Sequence, residues 1–269
     1  MKAIPVEQSE SLRKHFAERG YFIVPGVVPR DALSYLRSRI VDEFESAKKS
    51  GALFSGGGGI SGHLNCFPGE ESRFAYDAVA GHGILDLIRS IIGAPPGRLH
   101  VGGNLNLPKS VAQHYHVDSA FLEEFMIVNV AVVDTDVVNG AIDVVPGTHR
   151  QFYKYSRFAM ERMSRFSTRL PLNQGDVLVR TSNLWHRGMP NRSSAARPML
   201  AFTLGDLRAQ VPEGDPFRAN DGKILFYPNW YRANLVGRLR ERMFVAAPIT
   251  YSAYRFARSI FSSKGYAAP

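Results

Sequence analysis

Between Gln113 and Asp118 the chain reads "QHYHVD", so His114, His116 and Asp118 recur at every second position. On an extended strand, residues i and i+2 project to the same side. His116 and Asp118 can therefore offer an imidazole and a carboxylate to one point in space. An iron(II) site built from two histidines and one carboxylate leaves coordination positions open for reactants. The second histidine must come from another strand, and His186, in "DVLVRTSNLWHRGMPN", is the candidate. Arg197 stands eleven residues further on. A guanidinium there suits the distal carboxylate of a dicarboxylate co-substrate, held through a bidentate pair. His-x-Asp alone is common, and a polar strand edge facing solvent explains it equally well. The ordered set of His-x-Asp, a later histidine and an arginine beyond it is the stronger signal.

Positioning such a set requires strands. From about residue 98 the chain consists of short β runs separated by Gly, Pro, Asn and Asp: "RLHVGGNLNL", "AQHYHVD", "FMIVNVAVVD", "AIDVVPG", "DVLVRTS", "LWHRGM" and "RPMLAFTLGD". This pattern predicts a mainly β core with flanking helices, closed as a barrel or jelly roll. Before it, helices are expected over 7–20, over 29–51 with Leu33, Leu36, Ile40 and Phe44 on one stripe, and over 82–93. Residues 51–70 read as a glycine-rich loop. After residue 210 the chain turns irregular and then helical, in "NLVGRLRERMF" and "YSAYRFARSIF". We expect one domain over 1–269: a helical buttress and loop (1–97), a core (98–210) with a basic insert (150–169), and a basic, aromatic extension (211–269).

The 269 residues carry a formal charge of +9, unevenly spread. Residues 150–169 hold six Arg/Lys against one Glu, and residues 218–269 hold nine against two acids. Such patches favour anionic partners, or else form an ordinary solvated face. No recognised nucleic-acid-binding motif accompanies them. Cys66 is the only cysteine, which excludes an internal disulfide and a four-cysteine zinc site. No apolar run approaches bilayer length, and the N-terminal residues lack a secretory apolar segment. The expected location is the cytoplasm, with peripheral membrane contact through 218–269.

The sequence resembles the phytanoyl-CoA dioxygenase family of iron(II)/2-oxoglutarate oxygenases. The resemblance runs from "LRKHFAERGYFIVPGVVPRDAL" through "QHYHVD" and "NGAIDVVPGTHR" to "LWHRGMPNRSSAARPML", most of residues 12–205. It implies a double-stranded β-helix, His116, Asp118 and His186 as iron ligands, and Arg197 as partner of the 2-oxoglutarate 5-carboxylate. Gly188 stands where family members have Ser or Thr assisting that carboxylate, and Tyr115 where many have Trp. Gln113 and Asn104 are candidates for hydrogen bonds to the co-substrate, although strand-end capping explains them as well. His63, Asn65 and His114 are candidates for the substrate side.

The implied reaction is hydroxylation of an unactivated C–H bond, consuming dioxygen and 2-oxoglutarate and releasing succinate and CO2. Asp118 argues against halogenation, because related halogenases carry a small residue there, while desaturation, cyclisation or epoxidation by the same oxidant stays open. The basic segments suggest a small substrate that is anionic or amphiphilic. Two other readings stay open: a cupin-like metalloprotein that does not use 2-oxoglutarate, and a non-catalytic ligand-binding barrel. The sequence gives no oligomeric state.

Overall fold

A computed structural model describes residues 4–51, 53, 59–93, 99–121, 123–205, 214–227 and 234–261. Residues 55–58 of the glycine tract 55–59 and the end of the tail from 262 lie outside these residues, as do the expected boundaries at 97/98 and 210/211. In chain order the elements are α1 (Val6–Arg19), β1 (Tyr21–Val24), α2 (Arg30–Lys49), β2 (His63–Phe67), α3 (Arg73–Gly81), α4 (Ile84–Ile92), β3 (Leu99–Asn106), β4 (Met126–Ala131) and β5 (Ile142–Val144). They continue with α5 (Tyr155–Met160), β6 (Thr168–Leu170), β7 (Val177–Thr181), β8 (His186–Arg187), β9 (Arg197–Leu204), β10 (Leu225–Tyr227), α6 (Leu235–Ala246) and α7 (Pro248–Phe261).

The strands form two antiparallel sheets, a seven-stranded one ordered β1-β7-β4-β9-β3-β2-β10 and a three-stranded one ordered β6-β5-β8. Strand alternation decides what each face of the large sheet meets. Val128 and Val130 of β4, Val177 and Val179 of β7, and Leu200 and Phe202 of β9 pack with Leu33, Leu36 and Ile40 of α2 and with Ile84 and Ile88 of α4. The residues between them turn the other way. Tyr21, Ala131, Leu178 and Met199 meet Val144 and Leu170 of the small sheet, while Asn129, Arg180 and Arg197 line a cavity. One face of the sheet is thus the helix-backed core, and the other carries the polar site.

Local signals set the helix ends. Gly20 takes φ 84° and its N–H caps the Phe16 carbonyl at 2.7 Å, which closes α1. The stripe Leu33, Leu36, Ile40 and Phe44 is the buried side of α2, as its spacing requires.

Three segments differ from the sequence expectation. Residues 63–67, expected in a loop, form β2 because β3 offers them an antiparallel partner from Asn106 to Gly103. The basic insert is not merely a solvated face: Tyr153 and Phe158 are buried with Tyr115, Val117, Val145 and Trp185. The stretch "AQHYHVD" is not a regular strand. Its backbone N–H groups at 113, 116 and 118 bond to the carbonyls of 188, 186 and 182, a register that shifts along the segment. Only His116 forms a β-bridge, with His186. The alternation that put His114 beside His116 is broken there.

Candidate metal centre

His116 and Asp118 reach the cavity from this irregular segment and His186 from β8. Their ligating atoms all lie within 4.8 Å of one another. His116 Nε2 is 3.7 Å from Asp118 Oδ1, and His186 Nε2 is 3.5 Å from Asp118 Oδ2. Each Nδ1 faces a carbonyl two residues back, His114 O for His116 and Leu184 O for His186, both at 2.8 Å. A carbonyl only accepts, so the proton sits on Nδ1 and both Nε2 lone pairs point into the cluster. Burial holds both imidazoles below their ordinary value, His116 at about 4, so they are neutral and able to ligate.

Asp118 owes its charge to a residue that sequence reasoning missed. Burial by itself would raise its carboxyl. Arg180, whose Nη1 donates to Oδ2 at 2.7 Å, instead holds it well below the usual carboxylate range. Arg180 is itself buried and also donates to Asn129 Oδ1 at 3.3 Å. An arginine directly after the apolar run "VLV" in "DVLVRTS" was the signal for it.

A second arginine faces the same cavity of about 180 Å³. Arg197 is buried, and its Nε and Nη1 have no hydrogen-bond partner among the described residues. Burial lowers it to about 10, which leaves it cationic at neutral pH. A buried guanidinium with two unused donors is complementary to a carboxylate. Two histidines with unprotonated Nε2 atoms and an ionised carboxylate likewise fit iron(II).

The departure at Gly188 has a steric explanation. A Cβ there would lie 2.7 Å from Gln113 Oε1 and 3.2 Å from His63 Cε1. Gln113 already fills that space, its Oε1 accepting from the Gly188 N–H at 2.7 Å. Asn104, Asn65 and His63 also line the cavity. Burial pushes His63 down to about 4, and its Nε2–H donates to the Val111 carbonyl at 2.7 Å. His114, expected on the substrate side, is not among the cavity residues. The shifted register turns it onto the C-terminal helices, stacked on Tyr251 at 4.8 Å and tilted against Phe244 at 4.5 Å.

Behind the ligands, buried Asp143 accepts from Tyr115 Oη at 2.7 Å and from Arg187 Nε at 3.0 Å. Tyr115 precedes His116 and Arg187 follows His186, so one carboxylate ties together the neighbours of both histidines.

The family model described as phytanoyl-CoA dioxygenase matches residues 16–199. The dioxygenase lolE1 of Epichloe uncinata is 28% identical over 152 residues, 54% of this chain and 59% of that protein. The chain thus aligns with less than two thirds of the length of this relative. Among solved structures, the non-heme alpha-ketoglutarate-dependent carbocyclase SnoK from nogalamycin biosynthesis superposes with a TM-score of 0.57 at 18% identity, over 77% of this chain and 87% of SnoK. The epimerase SnoN, solved with Fe3+, alpha-ketoglutarate and a nogalamycin compound, gives 0.54 at 20% identity over 82% and 96%. At such identities the likeness establishes the fold, an α+β arrangement around a jelly-roll core.

Proposed function

The chain belongs to the phytanoyl-CoA dioxygenase family, whose members use iron(II), 2-oxoglutarate and dioxygen, and we propose that it hydroxylates an unactivated C–H bond of a small metabolite. One observation carries this reading. A neutral two-histidine, one-carboxylate cluster and a buried, unpartnered arginine converge on a single cavity.

In this proposal His116, Asp118 and His186 hold iron(II), which with 2-oxoglutarate and dioxygen supplies the oxidising power for the C–H bond. The carbonyls of His114 and Leu184 keep both imidazoles in the ligating tautomer. Arg180 keeps Asp118 ionised. Arg197 takes the 5-carboxylate of 2-oxoglutarate, and Gln113 occupies the place of the missing hydroxyl beside it. Asn104, Asn65 and His63 face the reactants with neutral hydrogen-bonding groups. The cupin-like reading without 2-oxoglutarate leaves the two buried donors of Arg197 with nothing to bind.

The substrate we propose is anionic or amphiphilic, on the strength of the arginine-rich C-terminal helices. The same helices are proposed to touch a membrane surface. None of the described helices is long and apolar enough to cross one.

Anaerobic addition of iron(II) and then 2-oxoglutarate tests the catalytic reading through the weak visible charge-transfer band of the chelate. The band is expected in the wild type, absent in His116→Ala, and in Arg197→Ala to need far more 2-oxoglutarate. Iron binding without a band at saturating 2-oxoglutarate sinks the reading.

A further inference from the structure

On α6 the residues facing the protein are Gly237, Glu241 and Phe244. The opposite side is not polar, as a solvated helix would be. Leu235, Leu239 and Met243 follow one another at four-residue steps, and with Val236 they form an outward apolar stripe. Arg238 and Arg242 fall along one edge of this stripe and Arg240 along the other. The single carboxylate of the helix, Glu241, is buried and accepts from Ser61 N at 2.8 Å and Ser61 Oγ at 2.7 Å. The next helix repeats the arrangement. Tyr251 and Arg255 of α7 turn inward, and Arg255 donates to the Tyr115 carbonyl at 3.1 Å. Ile249 (85% exposed), Tyr254, Ile260 and Phe261 (87% exposed) face outward with Arg258, and α7 contains no acid.

We propose that the outward face of α6 and α7 docks on an anionic lipid surface, the leucine, isoleucine and phenylalanine side chains entering the headgroup boundary and the arginines meeting lipid phosphates and carboxylates. This deepens the peripheral contact proposed above. Its support is the chemistry of this face, not the iron site. An apolar stripe bordered by cations, with its counter-charge removed to the interior, has the composition of a helix lying in the membrane interface. A second copy of the chain is the poorer occupant. Pairing this face with itself would bring Arg240, Arg242 and Arg258 against their own equivalents with no exposed acid on either helix to compensate.

Co-sedimentation of the full chain with vesicles tests this. The protein is expected to pellet with vesicles of phosphatidylcholine mixed with phosphatidylserine, to stay in solution with phosphatidylcholine alone, and to be released by high salt. Leu239→Glu and the double change Arg240→Gln with Arg242→Gln are each expected to lower the bound fraction about tenfold. All of these side chains are exposed, so the iron–2-oxoglutarate band should be unchanged in both variants. Failure of the wild type to pellet with anionic vesicles at low salt overturns the proposal. So does a monomer–dimer equilibrium in solution that Leu239→Glu abolishes while vesicle binding persists. Vesicle binding by a protein that shows no chelate band would leave this surface standing and remove the oxygenase reading.

Discussion

Arg180 and Asp118 form a 2.7 Å ion pair across 62 residues of sequence, and the arginine is almost wholly buried. The carboxylate side chain that would ligate iron is therefore balanced by a protein cation independently of any metal. Arg180→Met removes that balance and leaves the carboxylate without its strongest partner in the interior. The metal-free variant is expected to lose about 3–5 kcal/mol of stability. Part of that loss should return on adding a divalent ion, because the ion supplies the missing positive charge. Thermal unfolding with and without manganese measures both. Equal stabilisation of wild type and variant by the ion would count against the pairing argument.

Arg197 should behave in the opposite way. Its Nε and Nη1 are buried without partners, so the co-substrate-free protein carries an uncompensated desolvation cost. Arg197→Met is expected to raise the melting temperature of that form, by the equivalent of about 1–3 kcal/mol. It should also weaken 2-oxoglutarate binding about a hundredfold, through loss of a charge-assisted bidentate contact. Unfolding scans and titration of the chelate band give the two numbers. A destabilised variant with unchanged 2-oxoglutarate affinity would assign Arg197 a structural role.

Gly188 and Gln113 compete for one space. Gly188→Ser places a Cβ 2.7 Å from Gln113 Oε1, an overpacking that costs about 1–3 kcal/mol. The 2-oxoglutarate KM of this variant is expected to rise about tenfold. Adding Gln113→Ala makes room for the serine hydroxyl beside Arg197, so the double variant should recover much of that loss. A double variant worse than either single change would refute the exchange of roles.

Buried histidines set the pH dependence of the metal-free protein, His186 among them. Burial depresses His63 to about 4, His114 to about 3 and His116 to about 4, against 6.5 for an unperturbed imidazole. Their folded-state values lie below the unfolded value, so the unfolded chain binds more protons as pH falls from about 6.5 towards 4. Stability is fully present above about pH 6.5 and declines through this window, by an amount on the order of 1–3 kcal/mol per histidine. Melting temperatures from about pH 8 to about pH 4 should trace this fall. His114→Phe, which keeps a ring between Tyr251 and Phe244, should flatten the slope. A slope unchanged in that variant would show that His114 takes no part in it.

Much of the site was readable because the informative relations were local or ordered. His116 and Asp118 are two residues apart, and the order His-x-Asp, His, Arg survives any folding of the loops between them. The helices over 6–19, 30–49, 235–246 and 248–261 announced themselves through a 3.6-residue period or a capping glycine. The strands at 99–106, 177–181 and 197–204 did so through short β-branched runs bounded by turn residues.

What the sequence could not contain was any relation set by one segment meeting another. Residues 63–67 are a strand because β3 pairs with them, although glycine-rich chain precedes them. The order "QHYHVD" placed His114 beside His116, yet pairing with 182–188 shifted the register and sent His114 to a different neighbourhood. Arg180 and Asp118 are 62 residues apart, Arg255 and Tyr115 140, and Glu241 and Ser61 180. No local period or spacing encodes such contacts. Residue type and order thus settle which side chains are available to bind iron and a dicarboxylate. Folding settles their protonation, through burial and the placing of a distant arginine, and packs Gln113 against Gly188 in the same cavity as Arg197.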